Sequence, residues 1–209
     1  MNKIDLIKLC GQYACFDRAF LRQISGDNDN TIDQSIKRWL ADGTLLGLRN
    51  GMYTLAEPLR KAEISLPSLA NELYPPSYLT GIWALSFRGL IPDVAREFTS
   101  ATPRRPQRFQ NDLGVFSYRH MSAKYFWGFE SVRIRDAVFR CATSEKALVD
   151  HWYWTSGEWT EARMHELRLQ NLEQLDGQKL SATVRRMSKP RILRAYTCFC
   201  KAVAGKEET

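Results

Sequence analysis

The chain has 209 residues, 44% of them hydrophobic, with 30 Lys+Arg against 23 Asp+Glu for a formal charge of +7. That length suits one large or two small domains, and that apolar content excludes a disordered chain. The modest cationic surplus favours a polyanionic partner over a cationic one. Five cysteines, with Cys198-Thr-Cys200 too tightly spaced for a zinc knuckle and no second pair beside it, predict buried free thiols rather than a disulfide framework or a metal site. The start, "MNKIDLIKLCGQY", is interrupted by Lys3, Asp5 and Lys8, and no run reaches the ~18 apolar residues of a membrane span. A cytoplasmic protein without a cofactor is expected.

In chain order, "IDLIKLC" predicts a first helix. "CFDRAFLRQISG" predicts a second, with Asp17 as N-cap, Phe16 and Leu21 as a hydrophobic staple and Gly26 as terminator. "DNDN" reads as a polar turn, and a third helix follows over residues 31–42. There Ile32, Ile36, Trp39 and Leu40 form one apolar stripe, while Asn30, Gln34, Lys37 and Arg38 point away from it. Asn50-Gly51 between alternating apolar residues predicts a hairpin with a type I′ turn. Three helices and a two-stranded ribbon make a winged helix-turn-helix over residues 1–57.

In such a unit the third helix enters a major groove. Gln34 and Arg38 have the chemistry to read adenine and guanine edges, with Asn30 and Thr31 at the helix start. Lys37, and Arg49 with Asn50 at the wing tip, would meet phosphates. A plainer reading stands beside this one. Thr31-x-x-Gln34 also fits a capping box, and winged helices also serve for protein contacts alone. Residues 1–63 hold nine basic and eight acidic groups, so the unit is nearly neutral.

After a connector over residues 56–67, "YPPSYLTGIWALSFRGLIP" predicts a helix started by Pro75 and Pro76 and ended by Gly89, with Leu79, Ile82, Trp83, Leu85 and Phe87 as core candidates. Strand-like runs follow in "REFTSATP", "GVFSYRHM" and "YFWGFESVRIRDAVFRCAT", the last a hairpin around Arg135-Asp136. Between the first two, "TPRRPQRFQND" predicts a loop, in which Arg104, Arg105 and Arg108 form either an anion-contact patch or a merely solvated surface.

"ATSEKALVDHWYW" gathers Glu145, Lys146, Asp150 and His151 and so invites a catalytic reading. A helical wheel with Ser144 as N-cap disperses them. Leu148, Val149 and Trp152 define the apolar face, with Glu145 on that same inward face at the first turn. Lys146 and Asp150 become an outer i,i+4 pair. Glu145 and Asp150 stand about 140° apart and cannot share a ligand. Glu145 is expected to hold the helix start, completed by Arg133 or Arg140. No HExxH, GxSxG, Walker loop or GxGxxG is present, and no enzyme and no metal site are expected.

"EWTEARMHELRLQNLEQL" predicts a helix broken by Asp176-Gly177. Residues 178–206 then hold eight cations, Arg185, Arg186, Lys189, Arg191 and Arg194 among them, and no carboxylate. This stretch is either a solubilising face, a further phosphate-contacting surface or a dock for an acidic partner.

The order winged helix, connector, "SYLTGIWAL" followed by "GLI", a few strands, "FWGF" and "EKALVD" resembles the AbiEi family of antitoxins and predicted regulators of viral defence systems. The resemblance covers most of the chain, and most recognisably residues 64–153. It implies an autorepressor that binds inverted repeats in double-stranded DNA upstream of its own operon. It also implies that residues 64–209, a mixed part over 64–160 and basic helices over 161–209, neutralise a nucleotidyltransferase toxin of AbiEii type encoded beside it. The alternatives are a winged-helix regulator without a toxin partner and a metal-dependent nuclease using Glu145 and Asp150. The expected fold class is α+β: winged helix, small mixed domain and helical C-terminal region.

Overall fold

In a computed structural model that describes residues 1–207, the chain is an α+β protein with two sheets. Its first helices are set by their caps. Asn2 accepts the Asp5 N–H at the start of α1 (Lys3–Cys10), and Asp17 accepts the Phe20 N–H at 2.7 Å at the start of α2 (Arg18–Ser25). Each satisfies an amide that the helix itself leaves unpaired. Gly26, at φ 68°, ends α2 in the left-handed conformation that glycine adopts without strain. The next helix, α3 (Asp29–Ala41), starts inside the expected polar turn, because Asn28 accepts both the Thr31 N–H and the Thr31 hydroxyl at 3.0 Å. The capping box between Thr31 and Gln34 is therefore not formed. Ile32, Ile36 and Trp39 are buried as the stripe predicts, but Leu40 is 38% exposed.

Strand β1 (Phe16–Asp17) joins the hairpin of β2 (Leu45–Arg49) and β3 (Met52–Leu55) in the order β1-β3-β2, all antiparallel. The hairpin turn differs from the expected type I′, which needs two left-handed residues. Gly51 has φ 73°, but Asn50 is not among the positive-φ residues, and the register shifts between Gly47 and Arg49. This is a bulged hairpin, in which one glycine suffices. Leu6, Phe16, Leu21, Ile36, Trp39 and Leu55 pack together as the core of this N-terminal unit.

The second sheet has six strands in the order β6-β7-β5-β4-β9-β8. They are β4 (Tyr78–Leu79), β5 (Glu97–Thr102), β6 (Gln107–Asn111), β7 (Gly114–His120), β8 (Phe129–Ile134) and β9 (Ala137–Ala142). Pairs β5–β7 and β4–β9 are parallel, the others antiparallel. The expected hairpin around Arg135-Asp136 is β8–β9. Two expectations fail here. Half of the supposed loop is β6, an edge strand whose Phe109 pairs with Phe116 of β7. And Pro75-Pro76 do not start a helix. A residue before proline is driven to extended geometry, so the chain continues as β4 and turns helical only in α5 (Gly81–Phe87). Leu79 is thus a strand residue.

Helix α4 (Leu66–Leu73), capped by Ser65, begins at the end of the expected connector, a stretch for which the sequence predicts no helix. The remaining helices are α6 (Ser144–Trp154), which packs on β9, and α7 (Glu161–Glu166), α8 (Gly177–Met187) and α9 (Pro190–Glu207), which pack on α6 and on one another. The cap of α6 is Thr143, one residue before the expected Ser144. The single helix expected around Met164 is α7 alone, because Arg168 and Asn171 take positive φ and only a 3-10 turn, Leu172–Gln174, follows. Asp176 starts a helix rather than breaking one: its carboxylate accepts the Gln178 and Lys179 N–H groups at 2.9 and 3.0 Å. Helix α6 packs against β9, α5, α8 and α9 in the larger core. Among the described residues no helix is long and apolar enough to cross a membrane. All five cysteines are free, but only Cys10 and Cys141 are fully buried, and Cys200 is exposed.

Candidate nucleic-acid interface and a buried ion pair

Helix α3 presents Asn30, Thr31, Gln34, Lys37 and Arg38 to solvent on the side opposite Ile32, Ile36 and Trp39. The acids at its start are already neutralised. Arg18 grips Asp33 through Nε at 2.6 Å and Nη2 at 3.1 Å, and Arg18 and Arg22 lie 3.6 and 3.4 Å from Asp29. The Arg18 hydrogen bond holds the Asp33 carboxyl below its ordinary value. Lys37 and Arg38 enter no ion pair among the described residues. The face therefore carries two cations outside any salt bridge beside an amide, with Lys37 near enough to Asp33 to help lower its pKa.

The tip of the β2–β3 hairpin is placed differently from the sequence expectation. Leu48 and Met52 belong to the larger core, and Asn111 of β6 donates to the Leu48 carbonyl at 2.9 Å. The hairpin is thus docked on the six-stranded sheet. Arg49 is half-buried, its Nη1 turned back on the Asn50 carbonyl at 3.0 Å and its Nε enclosed, so it does not project toward a phosphate; Asn50 is exposed.

The other expected cations fall on separate elements. Arg104 donates to the Pro75 carbonyl at 2.9 Å and lies 4.2 Å over the Tyr74 ring. Arg108 on β6 is tied to Glu97 at 3.4 Å and Gln110 at 3.2 Å, whereas Arg105 is exposed. At the end of α8, Arg185 is exposed and Arg186 stacks 3.9 Å over Trp127, with Lys189 5.9 Å from Tyr125. On α9, Arg191 is half-buried and donates to the Gly157 carbonyl at 3.1 Å, and Arg194 is exposed.

The largest departure from the sequence reading concerns Lys146 and Asp150. Both are fully buried, not a surface pair. Lys146 Nζ donates to Asp150 Oδ1 and, at 3.0 Å, to the Tyr78 hydroxyl. The other carboxylate oxygen accepts the Tyr78 and Thr80 hydroxyls, each at 2.9 Å. The ammonium also lies 5.2 Å from the Trp127 ring. Desolvation pushes Lys146 down and Asp150 up, and each charge opposes the other's shift. A polar network so fully satisfied and enclosed gives a substrate no access, which suits a structural role. One signal could have revealed it. Ala147, Leu148, Val149 and Trp152 leave α6 with no wholly polar face, the mark of a helix covered on all sides.

Glu145 does face inward, but its partner is neither Arg133 nor Arg140. It accepts the Asp176 backbone N–H at 3.1 Å, joining the start of α6 to the start of α8. His151 contacts the Trp159 ring at 5.7 Å, and burial, with Arg119 and Arg163 nearby, lowers its pKa to about 4. Among the described residues no group of three or more His, Cys, Asp or Glu could hold a metal ion.

No protein-family model matches the chain, and no curated protein matches it in sequence. The family resemblance rests on the quoted segments alone.

Proposed function

We propose that this chain is a DNA-binding autorepressor whose α3 reads the major groove of an operator upstream of its own gene. The observation that carries this reading is the α3 face: Gln34, Lys37 and Arg38 are exposed together while Asp29 and Asp33 are held by arginines of α2. Long amide and guanidinium side chains on one helix face suit base edges, and an unpaired ammonium suits a phosphate. The order helix, strand, two helices, hairpin, with a β1-β3-β2 sheet, supports a winged helix-turn-helix. The proposed face is narrower than the sequence alone suggested. Asn30 and Thr31 remain at its edge, and Arg49 leaves it because the wing tip is docked on the sheet. Footprinting on the upstream DNA tests the reading: protection of an inverted repeat supports it, and uniform weak protection of any sequence rejects it.

We propose further that residues 64–209 make the chain the antitoxin of a nucleotidyltransferase toxin of AbiEii type. This part rests on the resemblance of "SYLTGIWAL" and "EKALVD" to the AbiEi family. Co-expression with the product of the adjacent gene tests it. Relief of growth arrest supports the antitoxin role. Repression without relief leaves a regulator alone.

A further inference from the structure

Between the N-terminal unit and the six-stranded sheet runs a cleft of about 760 Å³, within the range of small-molecule sites. Its walls come from β1, α2 and the hairpin on one side and from α4, the segment 75–77, β8 and β9 on the other. More than nine in ten buried polar groups in folded proteins are paired, so those that are not ask for an explanation. Among the described residues seven buried side-chain nitrogen or oxygen atoms lack a partner, and three of them, Arg49 Nε, Asn71 Nδ2 and Ser77 Oγ, belong to residues that line this cleft. Ser77 is 2% exposed.

All three can donate. The acids of the same cleft each have a partner: Asp17 accepts the Phe20 N–H and Glu72 accepts the Cys15 thiol at 2.9 Å. Two guanidinium groups, Arg49 and Arg140, stand beside the three unpartnered donors. The complement of that set is an acceptor with negative charge and two oxygens, since a guanidinium fork matches a carboxylate or phosphate in pairs. The rest of the lining selects between these. Phe16, Phe20, Phe139 and Tyr13 supply aromatic walls, with the Tyr13 and Phe20 rings already edge to face at 4.9 Å. Flat rings favour a further ring at such a spacing.

We propose that this cleft is a binding site for a small aromatic carboxylate, its anion held by Arg49, Asn71 and Ser77 and its ring against Phe16 and Phe20. The site is independent of the DNA reading and of the family resemblance.

Isothermal titration of the full chain tests it, with benzoate as probe, benzyl alcohol as the uncharged ring and inorganic phosphate as the ringless anion. Benzoate is expected to bind at least tenfold more tightly than either control. Asn71→Asp keeps the oxygen that accepts the Arg140 N–H and replaces the donor with a negative charge, and it is expected to weaken benzoate at least tenfold. Ser77→Ala removes a single hydroxyl, leaves the fold to the surrounding core, and is expected to weaken benzoate several-fold. Absence of binding at 10 mM benzoate, equal binding of benzyl alcohol or phosphate, or benzoate binding unchanged in folded Ser77→Ala overturns the proposal.

Discussion

Lys146 and Asp150 stand one helical turn apart with both side chains fully enclosed, and Tyr78 closes the group by accepting from the ammonium at 3.0 Å and donating to the carboxylate at 2.9 Å. Removing one charge strands the other, at about 3–5 kcal/mol. Asp150→Asn and Lys146→Met should each lower stability to that extent in urea unfolding. The double variant keeps an acceptor for Tyr78 and Thr80 and leaves no lone charge, so it should lose much less than the sum. The coupling should be about 2 kcal/mol or more. Additive losses would mean that the two charges do not support each other.

Gly128 is the roof over this pair. A Cβ there would meet Lys146 Cγ at 2.9 Å and Cδ at 3.0 Å, and its φ of +76° is one that side chains rarely adopt. Overpacking of this kind costs about 1–3 kcal/mol, with left-handed strain added to it. Gly128→Ala should lower the urea midpoint sharply. A midpoint within error of the wild type would mean that the roof is loose.

His151 makes stability depend on pH. Its folded pKa of about 4 lies below its usual 6.5, so the unfolded chain takes up this proton first. The contribution of the neutral ring is complete above pH 6.5 and is lost as the pH falls toward 4. For this largely enclosed ring it amounts to about 3 kcal/mol at most. Urea midpoints of the wild type should fall between pH 7 and pH 4.5 by more than those of His151→Gln. Parallel curves would place the acid sensitivity elsewhere.

The docked hairpin predicts a local effect. Asn111→Ala removes the 2.9 Å bond from β6 to the Leu48 carbonyl. Hydrogen exchange should accelerate in residues 48–52, while α6, held by its own core, keeps its protection. No change in the hairpin would mean that Leu48 and Met52 hold it by apolar contact alone.

The short-range code of this chain was readable where one face of an element is buried and the other wet. Ile32, Ile36 and Trp39 fixed the orientation of α3, and Asp17 and Gly26 bounded α2. It was misleading where tertiary packing decides. Lys146 and Asp150 look like a surface pair on a helical wheel, which gives direction but not how many sides of the helix are covered. The strand β6 is hidden behind Arg104, Arg105 and Pro106, because an edge strand tolerates charges and needs pairing on one side only. The place of Arg49 at a turn points it toward solvent, and nothing local reveals that the turn docks on another sheet. The cleft beside it joins residues from Tyr13 to Arg140, a juxtaposition that only the fold makes.

The central claim is that α3 reads DNA, and a salt-dependent anisotropy titration tests it most directly. A duplex from upstream of the gene is compared with an unrelated duplex between 50 and 200 mM salt, using wild type, Lys37→Ala and Arg38→Ala. Wild type should prefer the upstream duplex and weaken steeply with salt. Lys37→Ala should weaken both duplexes alike and reduce the salt slope by about 1, whereas Arg38→Ala should cost about 1–3 kcal/mol on the upstream duplex only. Equal binding of both duplexes by the wild type, or variants that titrate as the wild type does, would contradict it.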